Sequence, residues 1–126
     1  GNSTGESSKN EEKDCETLKK YYDESQKQVS PLVYKKPVLV KFSADWCPPC
    51  RLMKSAMDDI IDPHKFEILH INYEECGMTS VFNIKGIPQL FRFENSSEMK
   101  DIKVPENHYM RGYSPTKEAA LRVLLK

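Results

Sequence analysis

Hydrophobic positions are missing from the start of the chain and then return with two alternating periods. Gly1 to Asp14 holds no Val, Ile, Leu, Met or aromatic residue. A stretch of Gly, Ser, Asn, Glu and Lys cannot offset the entropy of ordering, so residues 1–14 are read as a disordered tail, with a docking or targeting arm as the alternative. From Cys15 to Gln28 the residues Leu18, Tyr21, Tyr22 and Ser25 recur at helical spacing and predict an amphipathic helix, which Pro31 should stop or bend. Leu32-Val33-Tyr34 is apolar without a clear period. Val38 to Phe42 is a short β-branched run typical of a buried strand. Leu52, Met53, Ala56, Met57, Ile60 and Ile61 then share one stripe of a helix beginning near Cys47, with Pro48 and Pro49 in its first turn and Asp62-Pro63 ending it.

Beyond that helix, Phe66 to Asn72 predicts a second buried strand and Cys76 to Asn83 a short helix or turn. Gln89 to Phe93 and Tyr109 to Tyr113 predict two more strands. Asn95 to Asn107 is polar and loop-like, with Ile102-Lys103-Val104 as a candidate strand fragment. Ser114-Pro115 is a suitable N-cap and first-turn pair for a last helix with Ala120, Leu121, Leu124 and Leu125 inward. This order predicts an α/β fold, a mixed sheet flanked by helices on both faces, over residues 15–126.

Composition narrows the class. A chain of 126 residues fits one domain with a real core. Its 19 Lys+Arg balance 19 Asp+Glu, which argues against a nucleic-acid or membrane-surface partner. No apolar run approaches the roughly 20 residues needed to span a bilayer, so the chain reads as soluble. Four cysteines are too few for a disulfide-dense miniprotein.

Chemistry concentrates in Phe42-Ser43-Ala44-Asp45-Trp46-Cys47-Pro48-Pro49-Cys50-Arg51, a CxxC between a buried strand and a helix. Two cysteines on a first helical turn can close a small disulfide ring. Cys47 also lies where the helix dipole and free N–H groups stabilise a thiolate, bringing a thiol of ordinary pKa near ~8.5 toward reactivity at neutral pH. Gly86-Ile87-Pro88 precedes a strand, where an X-Pro bond is a candidate for the cis form and a loop can present bare backbone to an extended peptide. Zinc is the competing use of a CxxC. His64, His70 and His108 offer no HxxxH pair, and Cys15 and Cys76 are single, so no metal site is expected. A Cys15–Cys76 disulfide is possible but not demanded by spacing.

Trp46-Cys47-Pro48-Pro49-Cys50, followed by Gly86-Ile87-Pro88 and by Arg111-Gly112-Tyr113 before the closing helix, resembles the thioredoxin family over roughly residues 36–126. The resemblance implies a thioredoxin fold and thiol–disulfide exchange, with Cys47 attacking and Cys50 resolving. Trp46, Pro48, Pro49, Ile87, a cis Pro88 and Gly112 would form the groove that holds a partner's disulfide. It further implies a monomer that needs no cofactor, acts on disulfide-containing proteins, and is recharged by a separate system such as a thioredoxin reductase.

Three departures stand beside the matches. Pro48-Pro49 replaces the family's usual Gly-Pro, as in tryparedoxins and the cytochrome-maturation thioredoxin-like proteins. The extra proline deletes an N–H near Cys47, which pushes toward a stronger reductant. Lys41 falls where thioredoxins carry a buried aspartate; a charged, close Lys41 lowers the pKa of Cys50, whereas an outward stem does little. The interval from Pro88 to Gly112 is long, which suggests an insertion at residues 95–107, and no clear first strand precedes Val38. The leading expectation is a protein disulfide reductase. The alternatives are a binding or scaffold module of the same fold, and an oxidase or isomerase in a secretory compartment, which would need a leader ahead of Gly1. A reactive CxxC without an evident disulfide framework suits the cytoplasm.

Overall fold

The computed structural model describes residues 2–126, with side chains from Asn10 onward; Gly1 lies outside the described residues. Helix α1 (Asn2–Lys27) leads into β1 (Val33–Ser43), α2 (Pro48–Ile60), β2 (Glu67–Asn72), α3 (Met78–Val81), β3 (Gln89–Asn95), α4 (Ser96–Asp101), β4 (Tyr109–Arg111) and α5 (Glu118–Leu124). The strands form one mixed sheet in the order β2-β1-β3-β4. β1 pairs parallel with β2 and antiparallel with β3, which pairs antiparallel with β4.

Alternation along β1 divides the interior. Val38, Val40 and Phe42 point to one face, where Leu18 of α1, Met78 of α3 and Met99 of α4 meet Phe82, Phe91 and Phe93. Leu39 points to the other, against Met53 and Met57 of α2 and Leu121 and Leu124 of α5. Helices therefore cover both faces, as the order of elements predicts. No first strand precedes β1 among the described residues, and α1 takes the adjoining space along β2.

Three expectations need correction. The tail expected over residues 1–14 is helical from Asn2, and α1 runs unbroken through Asp14. What orders its end is polar docking that a count of apolar residues does not register. Asp14 Oδ2 accepts the backbone N–H of His70 at 2.9 Å, and Glu11 Oε2 accepts from Asn72 Nδ2 at 3.2 Å. With the Tyr21 hydroxyl donating to Glu67, these bonds close the outer edge of β2. The second correction concerns residues 95–107, where α4 forms instead of a loop. Asn95 caps it by accepting the N–H of Glu98 at 2.9 Å, while Glu98 Oε1 accepts the N–H of Glu94 at 2.7 Å. Ile102 to Val104 makes no strand, because Ile102 takes the left-handed conformation that ends α4 (φ 51°). Third, Leu52 and Ala120, expected inward, are exposed: each lies at the edge of its helix's apolar stripe, outside the arc that meets the sheet.

Candidate active site

The Cys47–Pro48–Pro49–Cys50 turn joins the end of β1 to the start of α2. β1 emerges from the sheet centre at Ser43, Cys47 N–H donates to Ala44 C=O at 3.2 Å, and the chain enters the helix. Cys47 and Cys50 are joined as a disulfide with Cα atoms 5.2 Å apart. Cys47 is itself the N-cap of α2, and its Sγ accepts the N–H of Cys50 at 3.3 Å. Pro48 and Pro49 have no N–H to offer, so the amide of Cys50 is the first helical donor available to that sulfur. Both cysteines are 3 % exposed and pack with Ala44 and Ile87. Pro48 is exposed and Pro49 half-buried.

A second backbone segment faces this turn. The Ile87–Pro88 peptide is cis, and the carbonyl oxygen of Ile87 lies 4.0 Å from Cys47 Sγ. Gly112 N–H donates to the Pro88 carbonyl at 2.7 Å, which places Gly112 against the same loop. Its φ of 74° is a conformation that side chains disfavour, so glycine is required there. The sequence-predicted residues Cys47, Cys50, Ile87, Pro88 and Gly112 thus come together. Trp46 stands at the rim, 61 % exposed, with its indole N–H donating to Glu74. Sequence reasoning missed Glu74. Its signal lies in Asn72, whose Oδ1 accepts the N–H groups of both Glu74 and Glu75, shaping the loop after β2 that aims Glu74 at Trp46.

Lys41 is 3 % exposed on the sheet face beneath α2, in register with His70 of β2. That burial excludes the outward-reaching stem left open by the sequence. Desolvation chiefly, and then the Lys54 ammonium, pull its pKa down to about 8, while Asp58 acts in the opposite direction. His70 lies at an exposed position of β2, and desolvation by the surrounding protein first, then the Lys41 and Lys54 charges, pull its pKa down to about 4, against Asp58. Among the described residues no group of His, Cys, Asp and Glu has the arrangement of a metal site. Cys15 and Cys76 are paired, with Cα atoms 5.9 Å apart, so the disulfide that spacing left open is formed and ties α1 to the loop before α3. No described helix is long and apolar enough to cross a membrane.

Comparison with known proteins agrees with this geometry. The thioredoxin family model matches residues 15–110. A thioredoxin of Buchnera aphidicola is 40 % identical over 73 residues, covering 56 % of this chain and 66 % of that protein. A thioredoxin of Alicyclobacillus acidocaldarius is 37 % identical over 70 residues, covering 53 % of this chain and 67 % of the relative. The aligned stretch thus spans about two thirds of these relatives' length. Among solved structures, a thioredoxin mutant from Halobacterium salinarum superposes with a TM-score of 0.54 at 24 % identity, over 71 % of this chain and 72 % of the other. A thioredoxin from Malassezia sympodialis gives 0.54 at 21 % identity, over 71 % of this chain and 75 % of the other; at these identities the likeness is one of fold.

Proposed function

The chain belongs to the thioredoxin family and is a thiol–disulfide oxidoreductase, a disulfide reductase by class, and from that premise we propose that Cys47 is its attacking thiolate and Cys50 its resolving thiol. The supporting observation is that Cys47 Sγ caps α2, where the Cys50 N–H and the helix dipole favour a negative sulfur.

In the reduced protein the Cys47 thiolate attacks one sulfur of a partner's disulfide. A Cys47–partner bond forms, the partner's S–S bond breaks, and the leaving sulfur takes a proton. Cys50, once deprotonated, attacks Cys47 Sγ and expels the partner's second thiolate, which is protonated in turn. Two electrons pass to the partner and Cys47–Cys50 is left oxidised. A separate dithiol system, of the kind a thioredoxin reductase serves, returns those electrons. Trp46, Pro48, Pro49, Ile87, Pro88 and Gly112 form the surface on which an extended disulfide-bearing segment of a partner protein is held, with the chain acting as a monomer. Lys41, a buried cation under α2, favours the thiolate in that helix's first turn and modulates the couple.

The cytoplasmic setting rested on the absence of a second disulfide. With Cys15 and Cys76 paired, it is a proposal on one condition, that the glutathione pool leaves this pair oxidised. The deciding experiment is a redox titration of Cys47–Cys50 against dithiothreitol and glutathione buffers, following Trp46 fluorescence, alongside reduction of a disulfide-bonded protein. The reading expects a reversible two-electron transition and loss of reduction in Cys47→Ser. Absence of any reversible transition would overturn it in favour of a binding module.

A further inference from the structure

A chain of contacts runs between the two disulfides. Cys15 of α1 is bonded to Cys76, and Glu11, one helical turn earlier, accepts from the Asn72 side chain at 3.2 Å. Asn72 holds the intervening loop by accepting the N–H groups of Glu74 at 2.9 Å and Glu75 at 3.1 Å, and its carbonyl accepts from Cys76 N–H at 3.1 Å. Glu74, so placed, accepts the indole N–H of Trp46, the residue before Cys47. Helix α1 therefore grips both ends of a five-residue loop whose centre holds the rim of the active site.

We propose that Cys15–Cys76 is a second redox centre that governs the first, through the Asn72–Cys76 loop and the Glu74–Trp46 bond. Both cysteines line a cleft between α1 and the loop, and Cys15 is the less buried of the two, so it is taken as the sulfur an external dithiol attacks. The dithiol's thiolate attacks Cys15 Sγ, a mixed disulfide forms, and the Cys76 thiolate leaves and is protonated. The dithiol's second thiolate then attacks its own first sulfur, so Cys15 leaves as a thiol and the dithiol departs oxidised, two electrons having entered the protein. With the covalent clamp gone, the loop keeps the apolar packing of Tyr73 and Cys76 but its polar centre is held by hydrogen bonds that water can replace, and Trp46 loses its fixed position beside Cys47. Carboxylates line the cleft at Glu11, Glu12, Glu16 and Glu75, so thiols that carry further negative charge, glutathione among them, are repelled more than a dithiol whose one charge is the attacking sulfur, and the clamp persists while Cys47–Cys50 turns over.

This inference rests on Cys47–Cys50 being the working couple, and its test separates the two. Cys15→Ser/Cys76→Ser removes the clamp, Glu74→Ala cuts the last link with the clamp intact, and the combined variant does both. Each is compared with wild type by Trp46 emission and by the equilibrium constant of Cys47–Cys50 with glutathione. The expected result is a shift of at least threefold in that constant for each alteration, in the same direction, with the combination shifting it no further than the larger one alone. A loss of thermal stability in the double serine variant with emission and constant unchanged would make the clamp merely structural. Independent, multiplying shifts would likewise refute the relay. Should the double serine variant fail to fold, Glu74→Ala still decides, since no change there breaks the chain of contacts at its end. A wild-type protein with no reversible Cys47–Cys50 transition at all would instead overturn the proposed function.

Discussion

Lys41→Met removes an ammonium group from beneath α2 while keeping most of the stem that fills the space. Lys41 is 3 % exposed, and burial lowers its pKa from 10.5 to about 8. Below pH 8 the amine carries its proton in both the folded and the unfolded chain, and the folded state bears the full cost of holding it. The shift corresponds to about 3 kcal/mol. Between the two pKa values the unfolded chain binds the proton and the native chain does not, so native stability rises with pH and the cost shrinks, to about 1 kcal/mol at pH 9.5. Lys41→Met is therefore expected to stabilise the protein by about 3 kcal/mol at pH 7 and by about 1 kcal/mol at pH 9.5. Urea unfolding of both proteins at both pH values, with unchanged m-values, measures this; other titrating groups cancel in the difference. A variant no more stable than wild type at pH 7, or one with the same advantage at both pH values, would refute the account of Lys41 as a charge held at a cost.

Three further outcomes follow from the packing and the charges. His70 should titrate by NMR with a midpoint near 4 instead of the ordinary 6.5, and Lys41→Met should move that midpoint upward. Because the unfolded chain takes up this proton first, the His70 contribution to stability should be lost as pH falls from about 6.5 through 4. Leu18→Ala, at a fully buried position between α1 and the sheet, should cost about 2–5 kcal/mol in chemical denaturation. Asn95→Ala removes the cap of α4 and should cost about 1 kcal/mol, with faster amide exchange at Glu98.

The strands and α2 could be read from the sequence because burial imposes a period. Val38 to Phe42 lies at the sheet centre, covered on both faces, and so appears as an apolar run interrupted only by Lys41. The CxxC turn and the Ile87-Pro88 loop were readable for a different reason, since the chemistry needs those residue types in that local order. The features that escaped depend on contacts distant in sequence or on polar atoms. Glu11 and Asp14 fasten the middle of α1 by meeting β2, which no local window contains. The Asn95-Ser96-Ser97-Glu98 sequence does carry an N-cap signal, but in a segment whose polarity suggested a loop. Cys15 and Cys76 are 61 residues apart and meet only because α1 crosses β2. Lys41 has the correct alternation for an inward residue, yet only the covering helix decides whether its stem can reach water.

One sulfur atom has two duties in this protein, and they are inseparable by the usual truncation. Cys47 Sγ begins α2 by accepting the N–H of Cys50, a role that the two prolines leave to no other amide in that turn. An alanine at position 47 would delete the nucleophile and unfasten the helix start together, so its lost activity would mix chemistry with local fraying. Serine keeps an acceptor of the kind that helix starts favour. The comparison of serine with alanine at this one position therefore measures how much of the active site's shape the reacting atom maintains for itself.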